Sequence, residues 1–263
     1  MKYDNLGIRM IGYEKITKDF LMERTPVIIR LDGKAFHTFT KGMKKPFDDI
    51  LINTMQETTK YLCENIQGCV LGYTQSDEIS LLLINYNKIN TQSWFDNNIQ
   101  KMCSISASMA TLAFNKVFYE TVQDNYILND DYFNKMFDKL NMALFDSRVF
   151  TLPKDEVCNY FLWRQNDATR NSIQMVGQSE FSFKELQGKS CNDIQEMLWS
   201  QRNINWNNLD TTLKRGSCVI KEQYSLDDDK GTIRNRWVID NNIPIFSKDR
   251  DYIEKYVYIN EMM

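Results

Sequence analysis

The first apolar run of the chain leads directly into an acidic turn. Residues 26–31 are rich in β-branched side chains, which predicts a short buried strand that ends at Asp32 and Gly33. Asp48 is suited to cap a helix, and apolar residues at helical spacing predict that this helix runs to about residue 67. Gly68 supplies the stop.

A hairpin and a long helix are predicted next. Residues 69–74 and 79–84 are apolar runs of strand length, and the polar segment 75–78 between them is typical of a β-hairpin turn. Over residues 98–121, apolar side chains recur at helical spacing, which indicates an amphipathic helix. The first half of the chain is therefore predicted to be strand, helix, hairpin and helix.

The second half carries shorter patterns. They predict a strand, a helix, a capping box, a further helix and two final strands, at 148–151, 155–175, 182–185, 192–201, 218–223 and 234–239. The acidic stretch 227–231 is expected to be a solvated loop. Since the chain has few prolines and glycines, no low-complexity linker and no internal repeat, we expect one compact unit of the α+β class.

The chain has one histidine, His37, and this limits the chemistry that its site can use. Histidine is the commonest side chain for proton transfer near neutral pH, and a Ser-His-Asp or Cys-His site would need His37 as its base. The six cysteines include no Cys-x-x-Cys pair, so we expect reduced thiols and no zinc site. Composition favours carboxylates and a hard cation such as Mg²⁺.

Charge and hydropathy set further limits. The formal net charge of −3 does not by itself indicate nucleic-acid binding, yet 32 lysine and arginine residues can still form a local basic surface. No apolar run is long enough to span a membrane. The first residues lack the apolar core of a signal peptide, which favours a cytoplasmic location.

Acidic residues follow two predicted strands at comparable places. Asp32 ends the first strand, and Asp77 and Glu78 lie at the predicted hairpin tip. If the strands are neighbours in one sheet, these carboxylates meet at one edge of it. Two carboxylates can hold two Mg²⁺ ions about 4 Å apart, as in polymerases. Gly33 would let the backbone approach a ligand closely, with its carbonyl as a further oxygen ligand.

Each of these motifs also has an ordinary structural explanation. An Asp-Gly pair after a strand is a common turn, and acidic residues at a hairpin tip are commonly just solvated. The glycine backbone and Lys34 could hold a triphosphate, but the segment lacks the spacing of a P-loop. His37 could equally be a packed, hydrogen-bonded side chain. The pattern alone leaves these alternatives open.

Six motifs in a fixed order make the sequence more specific. They begin at Arg30, Lys45, Gly72, Phe145, Trp163 and Lys214, and their sequences are RLDGKAFH, KPFD, GYTQSDE, FDSR, WRQND and KRG. In this order and with these gaps they resemble the tRNA(His) guanylyltransferase family. The resemblance extends from about residue 7 to residue 221, nearly the whole chain.

The resemblance implies a fold. The family's catalytic core is similar to a polymerase palm, a ferredoxin-like antiparallel sheet with flanking helices. Residues 6–135 are therefore expected to form the palm-like catalytic region, and residues 136–240 a helical and strand-containing C-terminal region of the same compact unit. The resemblance also implies a homotetramer.

The resemblance implies an activity as well, which is nucleotide addition to tRNA in the 3′-to-5′ direction. ATP first adenylylates the RNA 5′-monophosphate, and the 3′-hydroxyl of an incoming nucleotide then attacks that end and releases AMP. The implied cofactor is a pair of Mg²⁺ ions, and the substrates are ATP, GTP and other nucleoside triphosphates. Such transfers depend on positioning and charge neutralisation, so they need no histidine base.

The match assigns roles residue by residue. Asp32, Asp77 and Glu78 match the acidic residues of catalysis, the two aspartates as metal ligands together with the Gly33 carbonyl. The family's nucleotide-binding segments are matched by Lys34, Ala35, Phe36, His37 and Ser76. Polar positions around the nucleotide and the RNA 5′ end are matched by Lys45, Asp48, Arg148 and Arg164. The candidates for RNA contact are Arg164, Asn171, Lys214 and Arg215.

One departure from the family separates two functions. The eukaryotic enzymes that add guanosine to histidine tRNA carry His-Ile-Asn-Asn just after the Arg-Gln-x-Asp stretch. Here those positions are Thr169, Arg170, Asn171 and Ser172, so only Asn171 is kept. This resembles the guanylyltransferase-like branch of template-directed enzymes that repair truncated tRNA 5′ ends. Repair is therefore expected, with guanosine addition to full-length histidine tRNA as the alternative.

Two more distant functions stay open. A nucleotidyl cyclase would use the same aspartates on a single nucleotide and would not need the RNA-contact candidates. A tRNA-binding protein without catalysis would have no reason to keep Asp32, Asp77 and Glu78 together.

Overall fold

The structure is a computed structural model that describes residues 4–127, 130–225 and 233–259, so the predicted loop 227–231 lies outside the described residues. The strands are β1 (Val27–Gly33), β2 (Cys69–Gln75), β3 (Glu78–Leu83), β4 (Phe145–Thr151), β5 (Ser217–Ser225) and β6 (Ile233–Asp240). The helices are α1 (Asn5–Lys15), α2 (Phe36–Phe39), α3 (Asp49–Asn65), α4 (Ile99–Asp124), α5 (Asp131–Phe137), α6 (Lys154–Glu180), α7 (Phe183–Leu186), α8 (Cys191–Arg202), α9 (Thr211–Arg215) and α10 (Asp251–Glu254).

The six strands form one antiparallel sheet in the order β4-β1-β3-β2-β5-β6. Apart from the short helices α2 and α5, the chain runs β1-α3-β2-β3-α4-β4 through the first four strands. With β1 and β3 in the centre, this is the split βαβ arrangement of a ferredoxin-like fold. The predicted class, an α+β fold with a palm-like antiparallel sheet and flanking helices, is confirmed. Strand β4 follows residue 136, so the two predicted regions share one sheet.

Helices cover both faces of the sheet. On one face, Ile29 of β1 packs in a core with Leu62 of α3 and Phe114 of α4. On the other face, Ile28 packs with Phe161 of α6 and the C-terminal residues around α10. Because both faces are covered, every residue of β3 is buried. No helix within the described ranges is long and apolar enough to cross a membrane.

Local capping signals mark where several helices begin. Asp48 caps α3 and accepts hydrogen bonds from two backbone N–H groups of its first turn, and Asn98 caps α4 and accepts one. The predicted capping box of Ser182 and Glu185 is present at α7. The pattern does not predict α1, α2, α5, α9 and α10. Four of these helices are short, and α1 buries none of its residues, so they show little apolar periodicity.

Gly216 joins α9 to β5 and should tolerate no side chain. Its φ of +81° with ψ of −166° is adopted essentially by glycine alone, and a Cβ there would lie 2.4 Å from the Thr74 carbonyl oxygen. We expect Gly216→Ala to lower the free energy of unfolding by about 3 kcal/mol, measured by urea denaturation.

Gly188→Ala is the matched control for that substitution. Gly188 also has a positive φ, of +75°, but open space surrounds its missing side chain. Gly188→Ala should therefore lower the free energy of unfolding by only about 1 kcal/mol, the cost of a side chain at positive φ without a steric clash. Equal losses in both variants would contradict the steric explanation for Gly216.

Candidate active site

The register of three strands lines up acidic side chains at one end of the sheet. Asp32 on β1 lies directly opposite Glu78 on β3 and Asp146 on β4. Directly paired residues point to the same face of a sheet, here the face that α6 covers. Two residues back along β1, Arg30 lies opposite Arg148. An acidic row at the strand ends is thus followed by arginines on the same face.

Asp77 joins this group from the turn between β2 and β3. Its carbonyl oxygen accepts a hydrogen bond from the Gly33 backbone N–H at 3.0 Å, which ties the turn to the end of β1. Its carboxylate accepts one from the Ser76 hydroxyl at 3.1 Å. Burial and the nearby charge of Asp32 raise the pKa of Asp77. The two carboxylates therefore repel each other, and a cation between them would relieve that repulsion.

The donors in this group fit a hard divalent cation. Among the ion pairs of the described residues, none includes Asp32 or Asp77. Nor do three imidazole, thiolate or carboxylate groups form a closed cage anywhere in those ranges. Mg²⁺ needs no such cage, because one or two carboxylates, water and substrate phosphates complete its coordination.

Glu78 lies inside the fold and not at the hairpin tip, which corrects the expectation from sequence. The turn consists of Ser76 and Asp77 alone, and Glu78, 5% exposed, is the first residue of β3. Its carboxylate binds Arg30 of β1 and Arg164 of α6, with Arg164 Nη1 3.0 Å from Oε2. Two guanidinium groups thus occupy this carboxylate, and it fixes the strand and the helix relative to each other.

The segment after Asp32 is a tight turn with unpaired backbone donors among the described residues. Ala35 has a left-handed backbone, with φ of +55°, and precedes α2. The N–H groups of Ala35, Phe36 and His37 make no hydrogen bond within the described residues. The side chains of Lys34 and His37 are exposed. This group of donors can receive an anion, as the predicted triphosphate role requires.

Phe36 belongs to the core, and Gly33 makes room for its ring. The Phe36 ring is 3% exposed and packs against Phe114 and Phe145, with ring centroids 5.4 and 5.2 Å away. A Cβ on Gly33 would lie 2.3 Å from that ring. The sequence suggests that Gly33 allows a ligand to approach closely. The structure shows that it is required for packing against the Phe36 ring. Only the backbone atoms of Gly33 and Phe36 are therefore available to bind a nucleotide or a metal ion.

Asp48, a predicted nucleotide contact, is engaged in capping α3. Its two oxygens accept hydrogen bonds from the backbone N–H groups of Lys44, Ile50 and Leu51 and from the Tyr132 hydroxyl. With four donors from the protein, this carboxylate has little capacity left for a ligand. It contributes by holding the start of α3 in place.

The other predicted cations lie nearer the surface. Lys45 is exposed, and Arg148 Nη2 lies 3.6 Å from a carboxylate oxygen of Asp146 at the edge strand. Lys214 donates to the Asn207 carbonyl oxygen at 2.6 Å, and burial lowers its pKa. Lys214 therefore stabilises its own loop, while Arg148 stays on the face that carries the carboxylates.

A cavity that is partly open to solvent brings together predicted residues from distant parts of the chain. Ser76 and Asp48, predicted for the nucleotide, line it together with Asn171 and Arg215, predicted for RNA. Its apolar lining includes Phe47, Leu51, Ile52, Met175 and Leu213. A few polar groups in an apolar wall are typical of a small-molecule site. The structure thus places Asn171 and Arg215 in one cavity with the nucleotide candidates.

Two further side chains belong to the site although the sequence assigns them no role. Arg30 binds Glu78, and the Trp163 ring stacks on the guanidinium of Arg164, with Cζ 3.4 Å from the ring centroid. Both lie within the matched motifs. An arginine that interrupts an apolar strand two residues before Asp32 is the one signal that could have revealed Arg30.

A palm-like sheet with paired carboxylates at its edge is the architecture of enzymes that transfer nucleotides. Two family models cover this chain: "tRNAHis guanylyltransferase" matches residues 8–153, and "Thg1 C terminal domain" matches residues 155–249. The chain therefore belongs to the tRNA(His) guanylyltransferase family and is a nucleotidyltransferase.

Similar proteins share most of the chain. A bacterial tRNA(His) guanylyltransferase-like protein in complex with ATP is 48% identical, with 97% of this chain and 100% of that chain covered and a TM-score of 0.85. Another such structure, in complex with GTP, is 47% identical at the same coverage, with a TM-score of 0.80. The tRNA(His) guanylyltransferase of Debaryomyces hansenii is 27% identical over 78% of this chain and 77% of its own length.

Removing the charge of Glu78 should destabilise the fold, because Arg30 would lose its carboxylate partner and Arg164 would keep only Asp167, 3.5 Å away. We expect Glu78→Gln to lower the free energy of unfolding by about 3–5 kcal/mol, measured by urea denaturation at pH 7. The control is Glu222→Gln, whose ion pair with Arg236 is exposed and should contribute less than about 1 kcal/mol. Similar losses in both variants would contradict the buried network.

Removing the charge of Asp77 should have the opposite effect. Its pKa is raised in the folded chain, so its stabilising contribution is present at low pH and is lost as the pH rises through the folded pKa. At pH 7 without metal, we expect Asp77→Asn to raise the Tm, measured by thermal unfolding in a chelator. The exposed Asp138→Asn should leave the Tm unchanged. A lower Tm for Asp77→Asn would refute the repulsion between the carboxylates.

Proposed function

We propose that this chain adds nucleotides in the 3′-to-5′ direction to the 5′ end of truncated tRNA, with the opposite strand of the acceptor stem as template. The RNA 5′-monophosphate attacks the α-phosphorus of ATP and pyrophosphate leaves. The 3′-hydroxyl of an incoming nucleoside triphosphate then attacks the activated 5′ phosphorus and AMP leaves. Family membership and the ATP and GTP complexes of the bacterial relatives support tRNA and nucleoside triphosphates as substrates.

Residues 169–172 favour repair over addition of guanosine to full-length histidine tRNA, because only Asn171 matches the His-Ile-Asn-Asn motif of the guanosine-adding enzymes. Ser172 is buried and accepts a hydrogen bond from the Trp206 indole N–H at 3.0 Å, so this position supports packing of the C-terminal part. Arg170 is exposed and pairs with Asp167. Of the side chains at these positions, that of Asn171 is the one that both matches the guanosine-adding enzymes and lines the cavity.

The acidic group and its surroundings divide the work in this proposal. Asp32 and Asp77 would hold two Mg²⁺ ions, which supply charge neutralisation at the transferred phosphorus when bound. The backbone N–H groups at positions 35–37 and the side chain of Lys34 receive the triphosphate. Glu78 keeps the arginines of β1 and α6 aimed at the same edge, and the cavity receives a nucleotide.

The exposed apolar surface of α1 supports the homotetramer implied by the resemblance. This helix buries none of its residues, and Leu6, Ile8 and Tyr13 are each more than half exposed. An apolar surface of this kind is commonly covered by another copy of the chain. The cytoplasmic location stays a prediction.

Substrate choice tests the proposed function. Incorporation of labelled nucleotide is measured into a 5′-monophosphorylated tRNA that lacks its first nucleotide and into full-length histidine tRNA, both with Mg²⁺ and ATP. We expect addition to the truncated tRNA, with the added base following the template base. Asp32→Asn should lower this rate by about 100-fold or more, because a metal ligand is lost, whereas the exposed Asp138→Asn should not change it.

Each other outcome favours a different function. Guanosine added to full-length histidine tRNA alone would mean a guanylyltransferase that works without the His-Ile-Asn-Asn motif. Cyclic product from nucleoside triphosphate alone would mean a cyclase, and tRNA binding without incorporation would mean a non-catalytic protein. Near-normal activity of Asp32→Asn would refute the assignment of Asp32 as a metal ligand.

A further inference from the structure

Trp163 is a large aromatic side chain exposed beside the carboxylates. It lies on α6, next to Arg164, and is 53% exposed, although tryptophan is on average a well-buried residue. About half of its surface is therefore open to solvent and accessible to a ligand. Exposed aromatic rings near basic side chains are a common means of binding nucleobases.

Neighbouring side chains hold the ring in a fixed position. The Arg164 guanidinium stacks on it at 3.4 Å, that of Arg30 lies 5.7 Å from its centroid, and Tyr160 meets it edge-on at 6.1 Å. Both arginines are in turn fixed by Glu78. A flat ring that is immobilised before a ligand arrives binds that ligand at a smaller entropic cost.

The ring also lies close to the proposed chemistry. Arg30 precedes Asp32 by two residues on β1, so the two side chains share a face and are separated by about 7 Å along the strand. A nucleotide with its phosphate at Asp32 and Asp77 would therefore bring its base into the neighbourhood of the ring. The cavity lining on α6 begins only at Ala168, and Trp163 does not contribute to it.

We propose that Trp163 is the stacking platform for the nucleobase at the 5′ end of the RNA. This rests on the proposed function, in which the RNA end and a nucleoside triphosphate must be bound side by side. The cavity would bind the base of the nucleoside triphosphate, and Trp163 the base at the RNA 5′ end. Since every nucleobase has a π-face, stacking accepts any terminal base, which suits an enzyme whose substrate ends differ in sequence.

A double-mutant cycle between protein and RNA tests this pairing. Dissociation constants are measured by fluorescence anisotropy for wild type and Trp163→Leu, each with 5′-monophosphorylated truncated tRNA and with the same RNA made abasic at its 5′-terminal nucleotide. We expect each single change to weaken binding by about 5- to 100-fold, and the double change to weaken it little further, because both remove the same stack. Trp163→Phe should retain most of the affinity.

Trp199→Leu is the matched control, because Trp199 is 56% exposed on α8 and belongs to the same residue type. It should leave RNA affinity unchanged and give no coupling to the abasic site. Independent, multiplicative losses for Trp163→Leu and the abasic RNA would overturn the platform, as would a raised KM for the nucleoside triphosphate at unchanged RNA affinity. The latter would place the nucleotide's own base on the ring.

Failure of the platform and failure of the proposed function give different results. If wild type extends the truncated tRNA but shows no coupling, the function stands and the platform is refuted. If wild type neither binds nor extends that tRNA, both are refuted. Thermal unfolding of Trp163→Leu, expected to be cooperative, separates loss of stacking from loss of the fold.

Discussion

One buried carboxylate holds the candidate site together. Glu78 binds an arginine from the centre of the sheet and another from α6, so helix and sheet meet at a charge cluster. The Nε atoms of Arg30 and Arg164 are buried without a partner among the described residues. A cluster with unsatisfied donors is a poor source of stability. Its value is therefore in position: it fixes α6 beside the edge where Asp32 and Asp77 converge.

Because α6 is fixed in this way, a single long helix organises both sides of the chemistry. Its first half carries Trp163 on the face that bears the carboxylates. Further along, Asn171 lines the cavity and Ser172 holds Trp206 of the C-terminal part. A residue advances about 1.5 Å along a helix, so these positions are separated by roughly 12 Å. The helix thus spans the distance between two proposed base-binding places.

This arrangement suits a reaction that joins two nucleotide-bearing substrates. Transfer at phosphorus depends on holding the attacking oxygen and the phosphorus in line, and it needs little from acid-base side chains. In the proposed function, paired carboxylates, the backbone N–H groups at positions 35–37 and arginines supply that positioning, and the single histidine is exposed at the margin. The physical cost is the repulsion between Asp32 and Asp77, which the fold accepts at the place where a cation is expected.

Local chemistry in the sequence determined the helix caps at Asp48 and Ser182, the hairpin, and the two aspartates at the ends of strands. These features depend on neighbouring residues, so a linear pattern carries them. Only the tertiary structure decided that Glu78 is buried, that Phe36 belongs to the core and that Asn171 shares a cavity with Ser76. Glu78 and Arg164 are 86 positions apart, and strand register and helix packing bring them together. A linear pattern contains no record of such register, because register is set by which distant surfaces exclude water from each other.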